Sequence, residues 1–265
     1  MPLGGLPKTI PPFFSAPIHR EISIEDSPSP ARSSNFTSSA GKRSVSPVHY
    51  RPMSLLDFLP LDGESKAALK VLQREFGLFS ALKIGMRLKK REQQGEPFHH
   101  LPEPGNIKEA LSRKQIGPAI LLYQELKKKH SEEEALRITQ EVLIQSTLVF
   151  LRKTIGPIQR EKIARMTTRE REGWVQNTGD QFFNAKMEWK EINEDKVEFD
   201  VTACLFPELC ARTGVPELAP AFCKGDAVFF GKVEPDVEFR REKTIAEGAD
   251  RCEFRMSWVK SEPDR

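Results

Sequence analysis

The sequence predicts an α+β fold: an N-terminal helical half packed on a four-stranded antiparallel sheet, with β-β-α-β-β order. Three observations predict it. Apolar residues recur at helical spacing between about Ser65 and Phe150. From Phe182 the apolar period drops to two, and alternating segments fall near 182–190, 196–204, 237–246 and 251–259. Between the second and third of these, Pro207 and Pro216 each suit a helix start.

Residues 1–52 read as a disordered tail, because the Ser/Pro-rich run SIEDSPSPARSSNFTSSAGKRSVSP buries too little apolar surface to offset ordering entropy. One α+β domain is expected over 53–260. SLLDFL is a short apolar run ended by Pro60. Ala68, Leu69, Leu72 and Phe76 mark a first helix, broken at Gly77, and Phe79, Leu82, Met86 and Leu88 a second. His99-His100 reads as an exposed loop pair.

Pro118 is placed in the first turn of a third helix. Ser131 and Glu134 stand at capping-box spacing before a fourth, whose buried face runs through Ala135, Ile138, Val142, Ser146 and Val149 to a stop at Gly156-Pro157. A polar helix over about Ile158–Trp174 follows, with TTREREG as a solvated face.

In the first strand Phe183, Ala185, Met187 and Trp189 share a face; after a turn at Asn193–Asp195, Val197, Phe199, Val201 and Ala203 share one in the second. By this parity Cys204 points off the apolar face. In the last strand Cys252, Phe254, Met256 and Trp258 face inward.

A net charge of +3 over 265 residues argues against a dedicated nucleic-acid binder, which carries a concentrated basic face. No window approaches a membrane span, and the N-terminus lacks a secretory pattern. A cytoplasmic protein with reduced thiols is the expectation.

All four cysteines, Cys204, Cys210, Cys223 and Cys252, fall in the last quarter with spacing C-x5-C-x12-C-x28-C, and Asp226 follows Cys223 by one helical turn. Thiolates are nucleophiles and metal ligands, but buried cysteines also pack as small hydrophobes. With no close C-x2-4-C pair and no histidine in the stretch, a metal site is not expected.

Cys204, Gly214–Leu218 (GVPEL), Cys223 with Asp226, Arg241 with Thr244, Glu247-Gly248 and Cys252–Arg255 (CEFR) stand in an order and spacing that resemble the C-terminal part of the L-2-amino-thiazoline-4-carboxylic acid hydrolase family. A weaker similarity around Leu122–Phe150 extends the likeness to roughly 110–258. The resemblance implies a hydrolase that opens a small cyclic amidine or thiazoline carboxylic acid, with no cofactor. It implies Cys223 or Cys204 as nucleophile, Asp226 as general base or amidinium partner, and Arg241 as a bidentate carboxylate clamp. Thr244 and Cys252 would join the substrate-binding set. A thiolate nucleophile next to Arg241 would have a pKa below the free value of about 8.5.

Ala203 departs from the family pattern, where a basic residue is expected, so the substrate here can be another small ring, as in an enzyme recruited to a biosynthetic pathway. The closing Cys252–Phe254 strand also resembles the small-ligand sensing domains of the vinyl-reductase type, in which the pocket binds and does no chemistry. Either reading calls for a small-molecule partner and for no nucleic acid or membrane; oligomeric state is not legible.

Overall fold

The structure is a computed structural model that describes residues 61–259. The expected tail, the SLLDFL run and the boundary at Lys260 lie outside the described residues. The architecture is α+β, with a helical half preceding an antiparallel four-stranded sheet.

Helix α1 (Gly63–Phe76) starts at Asp62, whose carboxylate accepts from Ser65 N at 2.8 Å, and it ends at Gly77, whose φ of 76° suits glycine. Helix α2 (Leu78–Gln93) buries Ala81, Ile84 and Leu88. The face drawn through Phe79 and Met86 is the wrong one: these side chains are 83% and 65% exposed. Apolar residues on two sides of α2 leave the choice of face to its neighbours, α1 and α3.

Helix α3 (Ile107–Lys127) begins eleven residues before Pro118, so the expected first-turn proline is interior. Asn106 caps the true start by accepting from Glu109 N at 3.0 Å. An interior proline costs about 3 kcal/mol; full burial of Ile116, Ile120, Leu122 and Tyr123 around it offsets that cost. Helix α4 (Glu132–Ile155) packs on α1 and α3, and Ser131 accepts from Glu134 N as expected. The Glu134 carboxylate does not close the box; it pairs with His130 Nδ1 at 3.0 Å.

The expected helix over 158–174 is two helices, α5 (Arg160–Ala164) and α6 (Thr168–Gly179). A capping box between Thr167 and Glu170 starts α6 and forces the break. Arg171 is not on a solvated face: it is buried and donates to the Met166 carbonyl at 3.0 Å, capping the end of α5.

Strands β1 (Ala185–Ile192), β2 (Lys196–Cys204), β3 (Val237–Arg240) and β4 (Cys252–Trp258) lie in the order β1-β2-β4-β3, all antiparallel. The sheet is therefore not a simple meander. The two helices expected between β2 and β3, after Pro207 and after Pro216, are a run of shorter pieces: α7 (Leu205–Arg212), a 3-10 turn (Pro216–Leu218), α8 (Ala219–Phe222), α9 (Lys224–Val228) and a π-turn (Phe229–Val233). β3 stops at Arg240 rather than near 246, because the chain turns at Ile245–Glu247 into Gly248, whose φ is 90°.

One irregularity decides the geometry of the site. Lys186 pairs with Ala203 but Met187 pairs with Val201, so Thr202 is an extra residue in β2. The bulge shifts side-chain parity beyond it. Ala203, expected on the apolar face, is exposed, and Cys204 turns onto the face of Phe199 and Val201.

Candidate functional site

The inner face of the sheet, the end of α4, α6 and the α8–π-turn segment enclose a cavity of about 240 Å³. An aromatic row crosses the sheet on this side. Trp189 and Phe199 have ring centroids 5.1 Å apart, Phe199 stacks on Phe254 at 4.6 Å, and Phe254 meets Phe239 at 5.8 Å. Each such pair adds about 0.5–1.5 kcal/mol beyond its buried area. Gly179 permits the close approach of α6: a Cβ there would lie 2.5 Å from the Trp189 ring.

Five of the sequence-predicted residues, Cys204, Cys223, Asp226, Arg241 and Cys252, line this one cavity. Cys204 ends β2 and is the residue before α7. Its sulfur accepts from the Asn184 side-chain amide at 3.4 Å and from the Phe206 backbone N–H. Cys223 joins α8 to α9, and Asp226 stands in the first turn of α9. Gly225 between them is held so close to α4 that an added Cβ would lie 2.5 Å from Thr147 Cβ. No signal in the sequence pairs Gly225 with Thr147, since the contact joins distant segments.

Arg241 follows the end of β3 and turns inward. Its side chain is only 6% exposed; Nη1 donates to Asp226 Oδ2 at 3.1 Å and Nη2 to the Cys223 carbonyl at 2.6 Å. The guanidinium also sits 4.9 Å from the Phe254 ring centroid. These contacts use two of the five donors of a guanidinium fork. Cys252 is buried, and its sulfur accepts from Ile245 N at 3.2 Å.

Thr244 is not on the cavity wall. It is buried under the β3–β4 connection, where its hydroxyl donates to Glu247 at 2.8 Å and its carbonyl accepts from Glu247 and Ala249 N–H. Cys210 lies outside the cavity too, in the helical core.

Burial pushes all four thiols up, which overturns the expectation of a lowered thiolate pKa. For Cys223 burial and the Asp226 charge together outweigh Arg241 and raise it to about 12. For Cys204 burial outweighs two opposing hydrogen bonds, from Phe206 N–H and Asn184. Cys252 is raised by burial against the Ile245 N–H, and Cys210 by burial to about 12. The Asp226 carboxyl also rises, because burial outweighs the guanidinium beside it. The polar corner thus holds a carboxyl whose pKa lies above its ordinary value, next to a fixed cation. Among the described residues, no group of three or more His, Cys, Asp or Glu side chains is placed to hold a metal ion.

The GVPEL motif is a folding element. Gly214 ends α7 with φ 74°, Val215 and Leu218 enter the core, and Glu217 accepts from the buried Tyr123 hydroxyl at 2.8 Å and from Lys127 at 3.2 Å. In CEFR, Arg255 reaches the opposite face of the sheet and binds Asp200 at 2.9 Å. Among the described residues, no helix is long and apolar enough to cross a membrane.

Searches of curated proteins and of solved structures find no match to this chain. Residues 110–256, more than half of the 265, match the sequence profile of L-2-amino-thiazoline-4-carboxylic acid hydrolase, and the match runs from within α3 to within β4 and takes in every residue of the polar corner. The chain therefore belongs to the L-2-amino-thiazoline-4-carboxylic acid hydrolase family.

Proposed function

We propose that the protein hydrolyses a small carboxylated ring at an amidine-like carbon, with the chemistry at the Cys204–Asp226–Arg241 corner. The observation that carries this reading is the Arg241–Asp226 contact of 3.1 Å at one end of a mostly apolar cavity, beside a cysteine that has two hydrogen-bond donors on its sulfur. When Asp226 is protonated, the Arg241 charge is uncompensated, and a substrate carboxylate would supply the missing anion. That anion would in turn keep Asp226 protonated, ready to serve as an acid.

Of the two thiols first considered as nucleophiles, Cys204 is the better supported. Its sulfur has donors that stabilise a developing thiolate, whereas Cys223 faces the Asp226 charge. In the reaction, the Cys204 sulfur bonds to the amidine carbon as its proton passes to the ring nitrogen and the C=N π bond opens. Collapse breaks one ring bond to that carbon, and the leaving heteroatom takes the Asp226 proton. The resulting cationic thio-adduct faces a new Asp226 carboxylate. Water then attacks the same carbon, Asp226 recovers a proton from it, and Cys204 departs as the thiol. The net change is the addition of one water.

The test is turnover of 2-amino-thiazoline-4-carboxylate and ring analogues, followed by mass spectrometry. Cys204→Ser and Asp226→Asn should each lose about 10²-fold or more in kcat while the fold is kept. Full activity in both variants would remove the corner from the mechanism.

A second reading, a binding module without chemistry, is favoured by one observation: every thiol of the cavity is held as the neutral form. Tight binding without any product in the same assay would select it.

A further inference from the structure

The cavity has a polar end formed by Asn184, Cys204, Cys223, Asp226, Arg241 and Cys252, and a second polar rim at the β1–β2 turn, where Arg171, Asn193, Glu194, Asp195 and Lys196 line it. Away from the polar end the sheet face carries Met187, Trp189, Phe199, Phe254 and Met256. All three tryptophans of the protein, Trp174, Trp189 and Trp258, line the same cavity. An amino-thiazoline carboxylate is polar nearly all round, so it matches the corner and leaves this wall unused.

The distances suit a substituent on the ring. Phe254 is two residues along β4 from Cys252, or ~7 Å at the usual strand rise. Register sets Phe199 opposite Phe254 and Trp189 opposite Phe199, so the aromatic row runs crosswise at that depth. An engineered apolar cavity of ~150 Å³ takes up a benzene molecule. The 240 Å³ here has room for a group of that kind as well as a small polar head. The Arg241 guanidinium lies over Phe254 and marks where the polar corner meets the row.

We propose that the substrate is amphipathic, a small carboxylated ring bearing an aromatic-sized apolar substituent that lies on the Trp189–Phe199–Phe254 row. This rests on the reading that the polar head sits at Asp226 and Arg241. Trp189 and Met187 are then specificity-determining residues, in contact with the substituent and not with the reacting carbon.

Isothermal titration calorimetry on the full chain tests this with two probes, 2-amino-thiazoline-4-carboxylate and its 5-phenyl derivative. The phenyl derivative should bind roughly 10- to 100-fold tighter, from the apolar area it buries. Trp189→Ala should remove most of that gain and leave the affinity of the unsubstituted ring within about twofold of wild type. Met187→Trp, which fills the arm instead of emptying it, should likewise act on the phenyl probe alone and serves if Trp189→Ala does not fold. Equal affinity for the two probes in wild type overturns the proposal. Loss of both affinities together in Trp189→Ala or Met187→Trp also overturns it. Arg241→Ala tests the underlying reading separately, because it should weaken both probes by the same factor. If both bind that variant as they bind wild type, the head lies elsewhere even where the phenyl gain persists. Absence of binding by either probe to wild type sinks both statements.

Discussion

Arg241 Nη1 lies 3.1 Å from Asp226 Oδ2, yet the Asp226 carboxyl remains above the ordinary carboxylate range, because burial outweighs the neighbouring cation. Removing the cation should therefore raise the carboxyl further. In Arg241→Gln, the Asp226 side-chain ¹³C resonance should titrate at higher pH than in wild type. A titration that stays in place or moves to lower pH would mean that the two groups do not interact in solution. Arg241→Lys keeps the charge but has no fork, so it should hold the Asp226 titration nearer to wild type while weakening carboxylate binding about tenfold.

Gly225 sets the position of Asp226 by letting α9 press on α4. Gly225→Ala puts a methyl group 2.5 Å from Thr147 Cβ and should cost about 1–3 kcal/mol of stability, with lower activity from a displaced Asp226. Thr147→Gly removes the obstructing atoms at about 0.3 kcal/mol of helix propensity, since threonine is itself a poor helix former. Denaturant melts of the two single variants and the double variant should show a coupling of at least about 0.5 kcal/mol, with the double variant better than the sum. Strict additivity would mean that the contact is not tight.

The sheet was legible because its strands alternate, and the polar corner because the motif holds Cys204, Cys223, Asp226, Arg241 and Cys252 in order. The Thr202 bulge was not legible: one inserted residue leaves the alternation intact on both sides and only reverses which face is inner beyond it. Parity therefore sent Cys204 outward when it faces the cavity. Pro118 misled for a related reason, since a local signal for a helix start was overridden by the burial of the residues around it. Thr244 sits in the motif but serves the turn before β4, so spacing alone did not separate a wall residue from a folding residue. The aromatic row and the Gly225–Thr147 contact depend on pairing between distant segments and leave no local trace.

Glu64, in the first turn of α1, is buried with one carboxylate oxygen unpartnered, and its pKa is raised to about 8, first by burial and then by Asp62, against Lys153. The folded state therefore holds this proton more tightly than the unfolded chain, whose carboxyl titrates near the ordinary 4.5. Stability from this group is fully present below that lower value and declines as pH rises toward about 8. Glu64→Gln mimics the neutral form and should flatten the decline, raising stability by about 1–2 kcal/mol at the alkaline end. Loss of a helix-dipole contribution of about 0.3–1 kcal/mol works against this gain. Thermal melts across that pH range should show wild type and variant converging in acid. A constant offset at every pH would show that Glu64 is already ionised when folded.

Cys204 and Cys223 face the same cavity but differ in what surrounds each sulfur, and that difference should be measurable. The Asn184 amide and the Phe206 N–H both favour a thiolate at Cys204, while at Cys223 the Asp226 charge adds to burial. Alkylation by iodoacetamide at neutral pH should be slow at all four thiols, since none is held below its ordinary range. As pH is raised, Cys204 should label first, with Cys223 behind it and Cys210 last in the closed helical core. Asn184→Ala removes one donor and should slow Cys204 labelling severalfold without changing Cys223. In turnover, Cys204→Ser should be far more damaging than Cys223→Ser, which should stay within about tenfold of wild type if Cys223 only lines the wall. Peptide mapping after timed alkylation gives the order directly. Labelling of Cys223 ahead of Cys204, joined to a larger loss of kcat in Cys223→Ser, would transfer the nucleophile's role to Cys223.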